Sequence, residues 1–75
     1  MIFQKSESVE ETLQSWEKQL NNVSVKKVRL YDNSEDTLKE WCRVINKYDK
    51  GNLRVYETPE ETISVWATEL TRLFM

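Results

Sequence analysis

The sequence divides into three units of equal length that share one pattern, residues 1–25, 26–50 and 51–75. Tryptophan, threonine and glutamate each occupy one fixed position in all three units. They are Trp16, Trp41 and Trp66, Thr12, Thr37 and Thr62, and Glu10, Glu35 and Glu60. Self-similarity at a fixed spacing indicates copies of one supersecondary unit that bury their apolar faces against each other. The chain is therefore expected to form a single domain, residues 1–75, from three similar parts.

Each unit is predicted to begin with a short β-strand. Residues 27–31 and 53–56 alternate apolar and polar side chains, which is typical of strands with one buried face. A weaker first strand is expected around residues 2–5. The apolar side chains of the two clear strands fall on one face. They are Val28, Leu30, Leu53 and Val55.

A helix is predicted to follow each strand. Capping boxes start at Ser8 and Thr58, each with a glutamate three residues later, and Pro59 stands at the favoured first helical position. A weaker box starts at Asn33, with Asp36 in place of glutamate. Apolar residues follow at helical spacing and include the tryptophans, which are expected to lie in the core.

The order β-α-β-α-β-α predicts an α/β fold built from three βα repeats. Strands joined through helices should pair in parallel, which gives a mostly parallel three-stranded sheet in the order 1-2-3. Because only one sheet face is apolar, all three helices are expected to cover that face in a two-layer structure. The alternative is a 2-1-3 order with helices on both faces, which would bury Arg29 and Arg54.

The composition excludes several classes of active site. Histidine is absent, which removes the commonest general base and metal ligand. The single cysteine, Cys42, permits neither an internal disulfide nor a cysteine-cluster zinc site. The single glycine, Gly51, permits no glycine-rich phosphate loop. We therefore expect a protein that is not an enzyme and that carries no cofactor.

The uncovered sheet face is the predicted binding surface. The repeat would place Arg29 beside Arg54 and Tyr31 beside Tyr56 on neighbouring strands. Lys27 would lie next to them. Arginine and tyrosine are enriched in protein interfaces, so a protein-binding module is predicted, such as an adaptor, regulator or inhibitor. The same residue types suit single-stranded nucleic acid, which stays an alternative that the net charge of −2 disfavours.

Nine of the thirteen acidic residues cluster at the predicted strand-to-helix turns. They are Glu7, Glu10, Glu11, Asp32, Glu35, Asp36, Glu57, Glu60 and Glu61. Such a cluster could hold a divalent cation, which is a second alternative function. Acids in a first helical turn also complement the helix dipole, and that explains most of them. Four lysines gather toward the opposite end, which is therefore expected to be basic. They are Lys26, Lys27, Lys47 and Lys50.

Two further expectations concern assembly and location. The third predicted strand has no protective charge at its edge after Lys50, so two copies are expected to pair there as a homo-oligomer. A net charge of −2 and an isoelectric point near 5.1 give no overall attraction to acidic membranes, and the longest apolar runs are too short to cross one, so no membrane partner is expected. A cytoplasmic location is predicted.

Overall fold

The computed structural model describes residues 1–75 and contains three α-helices and no β-strand. Helix α1 spans Val9–Val23, α2 spans Ser34–Tyr48 and α3 spans Pro59–Leu73, so each begins at the same position of its unit. The predicted α/β fold of βα repeats with a parallel 1-2-3 sheet is therefore wrong, and so is its 2-1-3 alternative. The repeated unit is an extended segment followed by a helix.

The helices begin where the capping residues predict. Ser8, Asn33 and Thr58 have extended backbone, and the side-chain oxygen of each accepts a hydrogen bond from the backbone N–H three residues later. These bonds measure 3.1 Å, 2.8 Å and 3.1 Å. Each satisfies an N–H that has no partner within the helix, which stabilises the helix by about 1 kcal/mol.

The extended segments do not form a sheet because helix side chains take their hydrogen bonds. In the second unit, Asn21 accepts from the N–H of Val28 at 2.7 Å and donates to the carbonyl of Val28 at 3.0 Å. Trp41 Nε1 donates to the carbonyl of Arg29 at 2.8 Å. These are the backbone groups that a neighbouring strand would need for pairing. The alternation of polar and apolar side chains is thus the pattern of a half-buried extended chain without a strand partner.

The third unit repeats this arrangement. Asn46 binds both the N–H and the carbonyl of Leu53, at 2.8 Å and 3.0 Å. Trp66 Nε1 donates to the carbonyl of Arg54 at 2.7 Å. In the first unit Trp16 Nε1 donates in the same way to the carbonyl of Gln4 at 3.0 Å.

The buried threonines have the same role in all three units. Each threonine hydroxyl donates to the carbonyl of the N-cap residue and accepts from the backbone N–H six residues before it. They are Thr12, Thr37 and Thr62. A buried hydroxyl is costly unless it is hydrogen-bonded, and here it also fixes the extended segment to the start of its helix. This pair of hydrogen bonds explains why threonine repeats at this position.

The apolar core lies between the helices and the extended segments. All three tryptophans are buried in it, as the sequence predicts. Phe3, Val28 and Leu53, one from each extended segment, are buried in the same core. No helix is both long enough and apolar enough to cross a membrane.

The three units close into a ring. The first residues of all three helices line one cavity, so the helices run in the same direction, and each helix packs on the other two. The position that holds Asn21 and Asn46 in the first two units holds Thr71 in the third, and Thr71 Oγ1 accepts from the N–H of Phe3 at 2.9 Å. The third unit therefore binds the first as the first binds the second. We call this arrangement the three-unit ring.

A circular permutant tests the ring. Seven positions separate Asn21 from Val28, and joining residue 75 directly to residue 1 would leave the same interval between Thr71 and Phe3. A permutant that opens the chain between Lys50 and Gly51 is therefore expected to melt within about 5 °C of the parent protein. Thermal unfolding followed by circular dichroism measures this. Opening the chain inside α2, after Trp41, should abolish the cooperative transition, and equal melting of the two permutants would contradict the ring.

Candidate binding groove

The largest concentration of predicted site residues lies in an open groove on the second unit. The groove has a volume of about 330 Å³. Its polar rim consists of Lys26, Lys27, Arg29, Tyr31, Glu40 and Arg43. Its apolar lining consists of Val28, Trp41 and Val44. We call this site the basic groove.

Two elements supply the basic groove, and the fold holds both in place. The extended segment contributes Lys26, Lys27, Arg29 and Tyr31, and the exposed side of α2 contributes Glu40 and Arg43. The bonds from Asn21 to Val28 and from Trp41 to Arg29 fix the segment against the helices. The backbone of the groove is therefore held in place by hydrogen bonds from side chains of α1 and α2.

One carboxylate already lies among the groove cations. Arg43 Nη2 donates to Glu40 Oε1 at 2.8 Å, one helical turn away. This bond, with the attraction of the Arg43 and Arg29 charges, lowers the pKa of Glu40 below its ordinary value. Both partners are exposed, so the pair contributes little to stability. Near neutral pH the groove therefore carries four positive charges and one negative charge.

Aromatic rings accompany the cations. The Arg29 guanidinium carbon lies 4.5 Å from the centre of the Tyr31 ring. Beyond the groove, the ammonium groups of Lys26 and Lys47 lie 5.5 Å and 5.3 Å from the centre of the Tyr48 ring. Cations over a ring face are held by the negative potential of the π system, which restricts the freedom of these long side chains.

The structure gathers only part of the predicted site. Lys27, Arg29 and Tyr31 line the basic groove together. Arg54 does not line it, and Tyr56 lines a separate small pocket on the next unit. The expectation that Arg54 and Tyr56 lie beside Arg29 and Tyr31 as cross-strand neighbours is wrong, because no sheet brings the units side by side.

The groove also contains three charged residues that were not predicted as site residues. They are Lys26, Glu40 and Arg43. Glu40 and Arg43 carry a detectable signal, since opposite charges three positions apart on an exposed helical face form ion pairs. Lys26 carries a second signal, because its positions in the other units hold Met1 and Gly51. The fold keeps the same geometry without a cation there, so the charge has no role in the repeated architecture.

The acidic turns do not form a metal centre. The cavity at the helix starts measures about 420 Å³ and is lined by Glu7, Glu10 and Glu60 among others. No three potential ligands among histidine, cysteine, aspartate and glutamate side chains come close enough to share an ion. Nothing at this end supports the divalent-metal alternative.

Cys42 lies away from the basic groove lining, beside the third extended segment. Cys42 is half-buried with its Sγ 3.3 Å from the carbonyl oxygen of Leu53, and burial raises the pKa of its thiol. The expected homo-oligomer depended on an unpaired strand edge, and the chain has no strand to provide one.

The chemistry open to the basic groove is the binding of anions. Arg29 and Arg43 offer fixed positive charge and forked N–H donors, which match carboxylate and phosphate oxygens. Comparison of the chain with protein-family models, with curated proteins and with solved structures returns no match.

Proposed function

We propose that this chain is a non-enzymatic protein-binding module that holds an acidic segment of a partner protein in the basic groove. One observation carries the proposal. Arg43 of α2 binds the Glu40 carboxylate at 2.8 Å, and Arg29 of the extended segment lines the same groove. The groove thus already binds one carboxylate and holds a second arginine from another element beside it.

The arginines keep donors for a further carboxylate. A guanidinium has five N–H donors, and Arg43 uses one of its nitrogens on Glu40. The Arg29 side chain donates no hydrogen bond within the chain and is exposed. An aspartate or glutamate of a partner can therefore bind Arg29 in a forked geometry, while the apolar lining receives its hydrocarbon part.

The structure favours a protein partner over single-stranded nucleic acid. Stacking of successive bases needs several accessible aromatic rings along one path. Tyr31 is the single tyrosine in the basic groove, and Arg29 already lies over its ring. Tyr56, which would have supplied the second ring, lies on another unit.

Removing the two arginines tests the proposal. The Arg29→Ala/Arg43→Ala variant is expected to bind a fluorescent peptide of alternating glutamate and leucine at least about tenfold more weakly, because two charge-assisted hydrogen bonds are lost. Fluorescence anisotropy at low salt measures the affinity. Arg54→Ala, an exposed arginine at the position equivalent to Arg29, is the matched control and should bind like the parent protein.

Three outcomes would overturn the proposal. One is a parent protein that does not bind the peptide at low salt. Another is an equal loss of affinity in Arg54→Ala, which would indicate attraction by overall charge. The third is a labelled oligo-thymidine that binds more tightly than the peptide and loses affinity in the double variant, which would favour nucleic acid.

Glu40 is expected to compete with the partner for the arginines. Glu40→Gln removes that negative charge and should tighten binding of the same peptide by about two- to fivefold, the range for exposed ion pairs. Anisotropy titration measures the change, with Glu69→Gln on α3 as a control that leaves the affinity unchanged. Weaker binding in Glu40→Gln would mean instead that Glu40 orders Arg43 for its ligand.

A further inference from the structure

A second surface, outside the basic groove, combines exposed apolar side chains with lysines. Six of the seven exposed large apolar residues lie at the end of the molecule where the helices finish. They are Met1, Ile2, Val23, Val25, Tyr48 and Met75. Val25 is 74% exposed and Ile2 is 64% exposed, although both are aliphatic. We call this surface the C-terminal end of the three-unit ring.

Three of these apolar residues, Val23, Val25 and Tyr48, lie close to one another. Val23 and Tyr48 are the last residues of α1 and α2. The N–H of Val25 donates to Asp49 Oδ1 at 2.9 Å, which places Val25 directly beside the end of α2. Clustered apolar side chains on the surface of a small protein mark an interaction site, whereas isolated ones do not.

Positive charge lies beside Tyr48 and at the ends of α2 and α3. The ammonium groups of Lys47 and Lys26 both lie near the Tyr48 ring. Lys50 follows shortly after α2, and Arg72 lies in the last turn of α3. Two acidic residues lie among them: Asp49, whose Oδ1 accepts from the N–H of Val25, and Glu69, which lines one pocket with Lys50 and Arg72.

The opposite end of the ring has the opposite charge. The acidic residues at the helix starts lie there, in the same three positions of every unit. A surface with negative potential therefore attracts the C-terminal end and repels the other end. This polarity orients the whole molecule, because the helices run in the same direction.

We propose that the C-terminal end docks on an anionic membrane surface. In this pose Val25 and Ile2 enter the boundary between headgroups and acyl chains, and Lys47 and Lys50 contact lipid phosphates. Tyrosine suits such a boundary, since its ring is apolar and its hydroxyl stays wet, and Tyr48 lies there among lysines. The proposal departs from the expectation of no membrane partner. Docking on the surface needs no spanning helix, and the separation of charge between the two ends gives this end a local attraction that the net charge of −2 does not.

A membrane explains this surface better than a peptide does. The pocket at this end, lined by Lys50, Glu69 and Arg72 among others, measures about 230 Å³ and is smaller than the basic groove, and the exposed apolar residues lie outside it. Its cations are mainly lysines, which act as point charges and need no planar partner. A laterally extended layer of anionic headgroups matches both features.

Vesicle binding tests the proposal. At about 0.1 M salt the protein should sediment with phosphatidylcholine vesicles in which phosphatidylserine replaces roughly a third of the lipid, and not with pure phosphatidylcholine vesicles. Val25→Ser/Lys47→Gln should lower the partition coefficient at least about tenfold, since one apolar anchor and one surface charge are lost. Val55→Ser/Lys39→Gln is the matched control, an exposed valine and an exposed lysine elsewhere, and should partition like the parent protein.

Several results would overturn the proposal. They are no sedimentation with phosphatidylserine vesicles, equal sedimentation with both vesicle types, and an equal loss in the control variant. A light-scattering mass of two or more copies without vesicles, abolished by Val25→Ser/Lys47→Gln, would assign this end to a second copy instead. Vesicle binding and peptide binding can be told apart. The Arg29→Ala/Arg43→Ala variant should lose binding of the acidic peptide and keep binding to vesicles.

Discussion

Trp66→Ala is expected to leave the protein unfolded at room temperature. Trp66 is 0% exposed, and its Nε1 donates to the carbonyl of Arg54. Truncating a buried tryptophan costs about 3–5 kcal/mol, and the Arg54 carbonyl also loses its partner. A single small core rarely supplies more than about 3–5 kcal/mol, so the loss is as large as the whole stability.

The comparison with Trp66→Phe separates packing from hydrogen bonding. Phenylalanine keeps most of the apolar ring but cannot donate to Arg54, so this variant should stay folded and lose roughly 2 kcal/mol of unfolding free energy. Far-ultraviolet circular dichroism and urea unfolding measure both variants, and Thr68→Ala on the exposed side of α3 serves as a control. A cooperative transition of Trp66→Ala close to that of the parent protein would contradict this account of the core.

Asn46→Ala is expected to have the next largest effect, a loss of about 2–4 kcal/mol. The Asn46 amide satisfies both backbone groups of the buried Leu53, at 2.8 Å and 3.0 Å. Alanine would leave the Leu53 N–H without a partner and its carbonyl with only the weak bond from Cys42 Sγ, at a site that is screened from water. Because no sheet offers a substitute, the third extended segment should detach from α2.

Urea unfolding of a matched set measures this effect. Asn22→Ala replaces an exposed asparagine that makes no side-chain hydrogen bond, and should stay within about 0.5 kcal/mol of the parent protein. Thr71→Ala removes one bond to Phe3 rather than two, so its cost should be roughly half that of Asn46→Ala. If Asn46→Ala and Asn22→Ala were equally stable, the side-chain bonds would not be what holds the extended segments.

The sequence predicts the helices well because their start signals are local. Ser8, Asn33 and Thr58 bind N–H groups only three residues away, so the capping pattern is readable from a few adjacent letters. The sheet is wrongly predicted because alternation reports burial and not hydrogen-bond partners. The groups that bind the extended backbone are the Asn21 amide and the tryptophan indoles. From sequence alone, an asparagine at position 21 is typical of a helix end, although Asn21 lies inside α1.

The grouping of the candidate site residues is likewise predicted correctly where they are close in sequence and wrongly where they belong to different units. Lys27, Arg29 and Tyr31 are close in sequence and stay together in the basic groove. Arg54 and Tyr56 are predicted to lie with them only because they occupy the equivalent positions of the next unit. In a sheet, equivalent positions of consecutive units lie side by side, whereas in a closed ring of three they lie a third of a turn apart and face different directions.

The bond between Phe3 and Thr71 has a consequence for synthesis on the ribosome. Phe3 also packs on Phe74, with ring centres 6.0 Å apart, so the first extended segment obtains part of its contacts from the third unit. While only two units have emerged from the ribosome, Phe3 lacks these contacts, and α1 and α2 lack their contacts with α3. We expect the core to close in one step after α3 has left the exit tunnel, and the chain before that step to be the form that chaperones bind.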